Sequence, residues 1–433
     1  MKIKESLSLQ SLLRPQFCSS KIALVFAVSS SLLISSKVYA GPNSFIDARA
    51  FAMGGVGVAS SHPAHASFFN PALLAITHHD AKDDFGLVLP SLNARFADDE
   101  EVVDQLDDFQ DSDLLDNLND AIAAYDGSDG SDIVAALDDL EEVLIDLDGD
   151  TVRADAGFGI AVQIPSKEIA VGVFTDAAIR ATVVANYTDQ QLIADYRQAA
   201  LTGDPGDILD ADTELTSNAQ VVAAAYAEAG ISFATLIEVG GDQYAVGISP
   251  KIMQLTTYEY TANVDDFDED DFNDDEYQDD ETKFNLDLGI ARQFGESQQW
   301  TVGFSILNLI PMETETVSGI DVDFDPIVKA GVAHRGEWHT LAVDIDLTEN
   351  QAFGFEDDNQ FIAVGAEFDA FNTAQLRLGV RYNFADNGDN AEIEEKGQLT
   401  AGLGLSPFGA QLSLSALASD TELGAALEFG FAF

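Results

Sequence analysis

Residues 423–433 read LGAALEFGFAF. In an extended strand, Leu423, Ala425, Leu427, Phe429, Phe431 and Phe433 share one face, and Gly424, Ala426, Glu428, Gly430 and Ala432 share the other. One face is suited to oil, and the other tolerates a charge. A strand of a soluble sandwich can alternate in the same way. It has no need, however, to place aromatics at its last three apolar positions.

The same period recurs upstream. About fourteen segments alternate with period two between turn-rich or acidic stretches, from Phe85–Phe96 through Gln375–Ala385 to Leu423–Phe433. An even number suits a single-chain bacterial barrel. The connections alternate as well. Pro165–Glu168, Glu238–Gln243, Gly295–Ser297 and Arg335–Glu337 are short, whereas 97–150, 186–217 and 263–282 are long and acidic. Short turns at one end and long loops at the other are the topology of outer-membrane barrels, with Ser419–Glu422 the one short connection on the long side. No run of eighteen or so apolar residues follows residue 40, so a membrane-spanning form has to be a closed barrel that pairs every backbone amide internally. The expected fold is all-β: an antiparallel transmembrane β-barrel of about fourteen strands over 85–433, with an N-terminal hatch and partly helical acidic extracellular insertions.

Charged residues fall on one face of these strands. Leu376, Leu378, Val380, Tyr382 and Phe384 oppose Arg377, Gly379, Arg381 and Asn383, and Leu341, Val343, Ile345 and Leu347 oppose Ala342, Asp344 and Asp346. An arginine facing lipid at mid-depth costs about 2–4 kcal/mol, so the charged face has to line the lumen. Asp344, Asp346, Glu367, Arg377 and Arg381 are therefore expected to form an interior charge ladder. Such a ladder serves first to pack and hydrate the interior.

Residues 1–40 begin with scattered cations, continue through an apolar run from Ile22 to Ile34 and close on Val38, Tyr39 and Ala40. This pattern predicts a secretory signal peptide. A transmembrane anchor fits less well, because the run is short and interrupted by serine. The sole cysteine, Cys18, falls within this leader, so disulfide and cysteine-metal chemistry are excluded from the remainder. The formal charge is −56. Such acidity repels nucleic acid. Residues 96–152 hold twenty-one Asp or Glu without a Lys or Arg, and 264–282 hold twelve.

Residues 41–84 differ in kind from the strands. Gly54, Gly55 and Gly57 permit close backbone approach, and Asn70 with Pro71 makes a turn. A compact glycine-rich segment ahead of a barrel is suited to folding inside it. The pairing of Arg49, Ala50, Phe51 and the glycine cluster with Phe69, Asn70, Pro71 and Ala72 resembles the N-terminal hatch of the FadL family of long-chain fatty-acid transporters and of PorV-like barrels. Most closely, residues 41–433 resemble the conjugal-transfer TraF-like barrel family, which is distinct from the thioredoxin-like TraF proteins. The terminal aromatic strand with Phe429, Phe431 and Phe433 is similar to the signal read by the barrel assembly machinery.

The resemblance implies a plugged fourteen-strand barrel in the bacterial outer membrane that passes hydrophobic small molecules. Its surroundings would be outer-membrane lipid and lipopolysaccharide. Arg49, Phe51, Met53, Gly54, Gly55, Gly57, Phe68, Phe69, Asn70, Pro71, Leu73 and Leu74 would form the hatch and the ligand path. The plainer alternative is that the apolar members only seal the hatch to the wall and that Asn70 is a turn residue.

In the first insertion, Val102, Leu106 and Phe109, then Ile133, Leu137, Leu140 and Leu144, recur at helical spacing, which predicts two amphipathic helices. Asp146, Asp148 and Asp150 alternate about Gly149 but lack the distal glutamate of a calcium-binding loop, so a solvated acidic face is the better reading and no metal or cofactor is expected. His62, His65, His78 and His79 lie in or beside the hatch, and His334 and His339 at a predicted periplasmic turn. None stands where an outer-membrane hydrolase holds its machinery, so no enzyme is expected. The rival to transport is a scaffolding barrel whose loops bind a partner protein.

Overall fold

The computed structural model describes residues 38–39, 46–76, 86–98, 101–102, 105, 108–109, 112–125, 129–166, 168–202, 215–263, 277–319, 321–350, 358–370, 373–385, 387 and 396–432. Alternation of apolar and polar residues produces fourteen long strands: β1 (Gly86–Asp98), β2 (Thr151–Ile164), β3 (Ala170–Asn186), β4 (Asn218–Val239), β5 (Asp242–Asn263), β6 (Gln278–Phe294) and β7 (Trp300–Leu307) come first. They are followed by β8 (Ile327–Arg335), β9 (His339–Asp346), β10 (Phe361–Ala370), β11 (Ala374–Asn383), β12 (Gly397–Leu405), β13 (Ala410–Ala418) and β14 (Glu422–Ala432).

Each strand pairs antiparallel with its neighbours in sequence, and β14 returns to β1 through pairs such as Leu423 with Phe96 and Leu427 with Leu92. The sheet is a closed fourteen-stranded barrel. Closure leaves no unpaired strand edge, which is what lets strands stand in lipid. Two prolines sit within strands where the ladder breaks register. Pro90 falls in the shift between Val88 and Ser91, and Pro250 faces a gap in β4 pairing between Gly230 and Phe233. A proline has no N–H to give, so an irregularity is where a central strand can hold it.

The two ends of the barrel differ. The connections from β2 to β3, β4 to β5, β6 to β7, β8 to β9, β10 to β11 and β12 to β13 are short and stand at one end. The tightest joins β4 to β5 through Gly240 and Gly241, both at positive φ, as a two-residue hairpin turn requires. The longer connections stand at the other end. At the short-turn end a run of rings crosses five strands: Phe294 stacks on Trp300, Trp300 meets His334 at 4.6 Å, His334 stacks on His339, and Trp338 joins His339 to Phe368. Aromatic girdles of this kind mark a membrane interface.

The outward face is apolar. Leu376, Leu378, Val380 and Tyr382 of β11 are all exposed, while Arg377 and Arg381 between them are buried. Phe429 and Phe431 of the closing strand point out in the same way, and Phe433 lies outside the described residues. An exposed apolar belt on every side is what water would not tolerate and acyl chains would solvate.

Outside the barrel, three helices among the described residues form a lobe over the long-loop end. They are Leu114–Ala124, Ser131–Asp146 and Gln190–Thr202. Leu118, Ile133, Leu137, Leu140, Leu144, Ile193 and Tyr196 make its core. The expected stripe on Ser131–Asp146 is this core, but the third helix, from the next connection, was not anticipated. Its weak amphipathicity, with Arg197 and Gln190 between the apolar positions, hid it. Val102 departs from the expected helix stripe and joins Leu147, Val152, Val183 and Val221 at the barrel rim. Leu106 lies outside the described residues. The connection between β7 and β8 carries two short strands, Met312–Glu315 and Asp321–Phe324, and Val38–Tyr39 of the expected leader pairs parallel with Val322 and Asp323.

Candidate functional site: the inner segment and the lumen

Residues 46–76 pack against the inward face of the strands. Short turns bond the segment internally, as from Phe51 N–H to the Asp47 carbonyl and from Asn70 N–H to the Ala66 carbonyl, and side chains of the wall take up further backbone groups. Asp47 caps the short helix α1 (Ala48–Ala52), accepting from the Ala50 N–H at 2.5 Å. Glu428 accepts from Ala48 N–H at 3.2 Å, and Ser415 donates to the Ala48 carbonyl at 2.5 Å. Thr400 donates to the Ala52 carbonyl at 2.9 Å. Asp344 accepts from both Gly57 and Val58 N–H, at 2.7 and 2.8 Å. Further on, Asn70 caps the turn Pro71–Ala75 and donates to the Val58 carbonyl at 2.9 Å, tying the two halves of the segment together.

The expected site residues separate into two groups. Phe51, Met53, Leu73 and Leu74 are fully or almost fully buried and seal the segment to the wall. Phe51 packs with Leu417 and Ala426, Met53 with Ala333, Ala342 and Ala363, and Leu73 and Leu74 with Ala170, Ala234 and Ala245. Gly54, Gly55, Phe68 and Phe69 instead line a cavity on the long-loop side of the segment. Gly54 and Gly55 turn the chain at φ +74 and +93, and Gly57 leaves room for the Phe69 ring. Asn70 and Pro71 are buried turn residues.

Arg49 lies wholly inside. Its guanidinium forks onto Glu367 at 2.9 and 3.0 Å and donates to the Ser60 carbonyl at 3.1 Å. Arg377 reaches the same carboxylate at 2.7 Å. The five residues expected to make a charge ladder all face the lumen, but each takes a separate partner apart from the Glu367–Arg377 pair. Asp344 holds the inner segment, Asp346 pairs with Lys329 at 3.0 Å, and Arg381 bonds Gln398 and lies 4.1 Å over the Phe361 ring. Cross-strand spacing set that outcome, because only Glu367 and Arg377 stand directly opposite each other.

A second ionic cluster was not foreseen. Asp155 meets Arg95 at 3.0 Å, Arg153 at 3.1 Å and Arg180 at 2.6 Å, and Glu422 meets Arg95 and Arg153 at 3.2 and 3.3 Å. Its trace in the sequence is a charge at alternate positions of otherwise apolar strands, as in Arg153 and Asp155 flanking Ala154. The wall's glycines were also missed. Gly247 stands opposite Gly289, Gly303 opposite Gly331, and Gly365 opposite Gly379. A methyl group on Gly379 would overlap the Gly54 amide, one on Gly303 the Val58 carbonyl, and one on Gly247 the Ala72 amide. The signal was a glycine recurring between apolar residues in strand after strand.

His65 sits between Glu428, whose Oε1 is 2.9 Å from its Nε2, and Asp47. Burial disfavours the imidazolium, but the two carboxylates outweigh it and hold His65 at about 8. Burial, with Glu428 nearby, raises the Asp47 carboxyl above the ordinary range although His65 and Arg49 oppose it. One ligand atom from each of Asp47, His65 and Glu428 falls within 4.8 Å of the others. Asp47 and Glu428 are already engaged by α1 N–H groups, so the cluster reads as a latch between segment and wall.

The cavity has a volume of about 100 Å³. That is room for several waters or one small organic group. It is bounded below by Ile46, Phe68 and Phe69 and above by Leu307, Phe324 and Ile327.

Among solved structures, a Pseudomonas aeruginosa FadL homologue aligns at TM-score 0.50 and 10% identity, over 92% of this chain and 100% of its own. A deletion mutant of the monoaromatic hydrocarbon channel TodX aligns at TM-score 0.50 and 10% identity, over 89% and 99%. The Pseudomonas putida toluene transporter TodX aligns at TM-score 0.48 and 10% identity, over 92% and 100%. These likenesses are of fold. No curated protein matches the chain. The family model described as "F plasmid transfer operon, TraF, protein" matches residues 67–346, more than half of the sequence, and the chain belongs to that family.

Proposed function

We propose that this protein is an outer-membrane uptake barrel of the FadL type. In this reading, residues 1–40 are a leader, the segment through residue 76 is the hatch, and a small solute enters from the long-loop side. The observation that carries the reading is the cavity between the inner segment and the long-loop end, with Phe68 and Phe69 of the segment as its floor. Passage then requires the segment to shift, since Phe51, Met53 and Leu74 seal it to the wall. The chemistry of the site supports binding and passage rather than catalysis.

The test is solute entry into liposomes carrying the mature chain. Small aromatic solutes are expected to enter faster than into empty liposomes, with saturation at high concentration. Absence of entry with a folded barrel overturns the proposal. Sedimentation of the cellular protein with outer-membrane lipid tests its location, and the mass of the mature N-terminus tests cleavage after Ala40.

One observation favours a second role beside uptake. The helical lobe has its own core and is not needed to close the barrel, which suits it to holding a partner protein at the outer face.

A further inference from the structure

The cavity is roofed by a piece of chain that takes no part in closing the barrel. Between β7 and β8, the strands Met312–Glu315 and Asp321–Phe324 pair with each other and, among the described residues, with no barrel strand. They form a ribbon folded into the long-loop mouth. Its inner face carries Met312, Val322 and Phe324, all but wholly buried against Val222, Met253 and Leu255 on the inward side of β4 and β5. Phe324 also lines the cavity, over the floor made by Phe68 and Phe69.

Continuous backbone pairing fixes the wall, whereas the ribbon is held by much less. A two-stranded ribbon alone is marginal in water. Glu313 stands directly opposite Asp323, and like charges in that position repel. Thr257 Oγ1 donates to the Glu315 carbonyl at 2.8 Å, Lys283 Nζ to the Glu313 carbonyl at 2.8 Å, and Ser318 Oγ to Glu259 at 2.5 Å. Water replaces such bonds as the ribbon lifts, so each holds it weakly. The ribbon's other edge pairs with Val38 and Tyr39, and the cleavage proposed after Ala40 takes that third strand away.

The base, by contrast, is clamped. Asn308 N–H donates to Asp287 at 2.8 Å, and Asn285 both donates to and accepts from Ile310 at 3.1 Å. Asn308 turns the chain at φ +54, and Pro311 and Pro326 flank the ribbon. A fixed base under a weakly held body is how a hinged flap is built, since segments of low local stability are the ones that move.

We propose that the ribbon is an outer lid. It swings from β4 and β5 about 308–311 and Pro326, admits a solute to the cavity and closes over it, while the inner segment keeps the far end shut. The solute's part in this rests on the uptake reading, whereas the lid's motion does not.

The reporter is Ala363→Cys, at a cavity-lining position of β10, in the mature chain, which otherwise has no cysteine. A small neutral methanethiosulfonate modifies that thiol at a rate set by the fraction of time the lid is open. Val322→Asp puts a charge into the ribbon's packing and is expected to raise the rate about tenfold or more. An unchanged rate in the variant, its folding read from heat-dependent gel mobility, overturns the lid. In a second arm, Glu259→Cys with Ser318→Cys replaces the reporter and is bridged by a short bifunctional methanethiosulfonate. Bridging is expected to slow entry of small aromatic solutes into liposomes about tenfold or more, and a reductant to restore it. The bridge disturbs no packing, so it decides the matter where Val322→Asp fails to fold. Equal entry with and without the bridge overturns the lid and leaves uptake standing. Absence of entry without the bridge overturns the uptake reading, and the reporter rate then decides the lid alone.

Discussion

Arg49 Nε lies 2.9 Å from Glu367 Oε2, with Nη2 3.0 Å from Oε1, so the inner segment is forked onto a wall carboxylate 318 residues away in sequence. Arg377 shares that carboxylate at 2.7 Å. Removing one partner of a buried ion pair costs about 3–5 kcal/mol, chiefly because the other is left uncompensated. The two deletions are unequal here. Arg49→Ala leaves Glu367 with Arg377, whereas Glu367→Ala takes the shared carboxylate from two guanidiniums, leaving Arg49 the Ser60 carbonyl and Arg377 the Ser413 hydroxyl. Hydrogen exchange in 46–76 is expected to rise in both and to rise further in Glu367→Ala. Exchange unchanged from the parent protein in both variants would mean that the pair does not hold the segment.

The glycine pairs give a steric prediction. Gly379 faces the Gly54 backbone, which cannot rotate away as a side chain can. Gly379→Ala is expected to cost about 1–3 kcal/mol by overpacking and to raise the ion conductance of the barrel as the segment lifts. Gly397→Ala is the control, since a Cβ there meets nothing within 4 Å. Unchanged conductance in Gly379→Ala with the segment still seated would refute the close fit.

These two relationships show what was legible in the sequence. Strand alternation is local, so Leu376 through Tyr382 disclosed their outward and inward faces without any knowledge of partners. Strand order followed, because each strand pairs with its neighbour in the chain. The site is non-local. Nothing near Arg49 names Glu367, and nothing near Gly57 names Asp344, since a closed barrel brings together residues from opposite ends of the chain. Phe51 and Phe68 look alike in the sequence, yet Phe51 is sealed against Leu417 and Ala426, whereas Phe68 packs on Phe174 and also borders the cavity. Only packing separates them.

The latch at His65 predicts a pH dependence. Its folded value of about 8 exceeds the 6.5 of an unperturbed histidine. The stabilising contribution is therefore complete below about 6.5 and is lost as pH rises through about 8, amounting to about 2 kcal/mol. Glu428 and Asp47 supply the attraction, and Arg49 opposes it. Hydrogen exchange of the inner segment, corrected for its intrinsic pH dependence, is expected to be faster at about pH 9 than at about pH 6. His65→Gln is expected to flatten that difference. A difference that persists in His65→Gln would assign it to another group.

The helical lobe makes the last prediction. Leu137 is fully buried among Leu118, Ile133 and Leu140, in a core too small to redistribute a loss. Leu137→Ala is expected to cost about 2–5 kcal/mol, a cavity of this kind being poorly filled by its neighbours. Tyr187 N–H donates to Asp148 at 2.8 Å, and Arg197 spans Asp138 and Glu141 at 2.7 and 2.5 Å. These polar ties are half-exposed or exposed, and such pairs contribute little once the core loosens. Limited proteolysis should then cut within 114–146 and 190–202 while the barrel keeps its heat-dependent gel mobility. Barrel closure runs entirely through β1–β14 backbone pairing, so a lobe that melts alone is what the fold requires. Loss of the barrel's mobility shift in Leu137→Ala would mean instead that the lobe braces the rim through Leu147 and Val102.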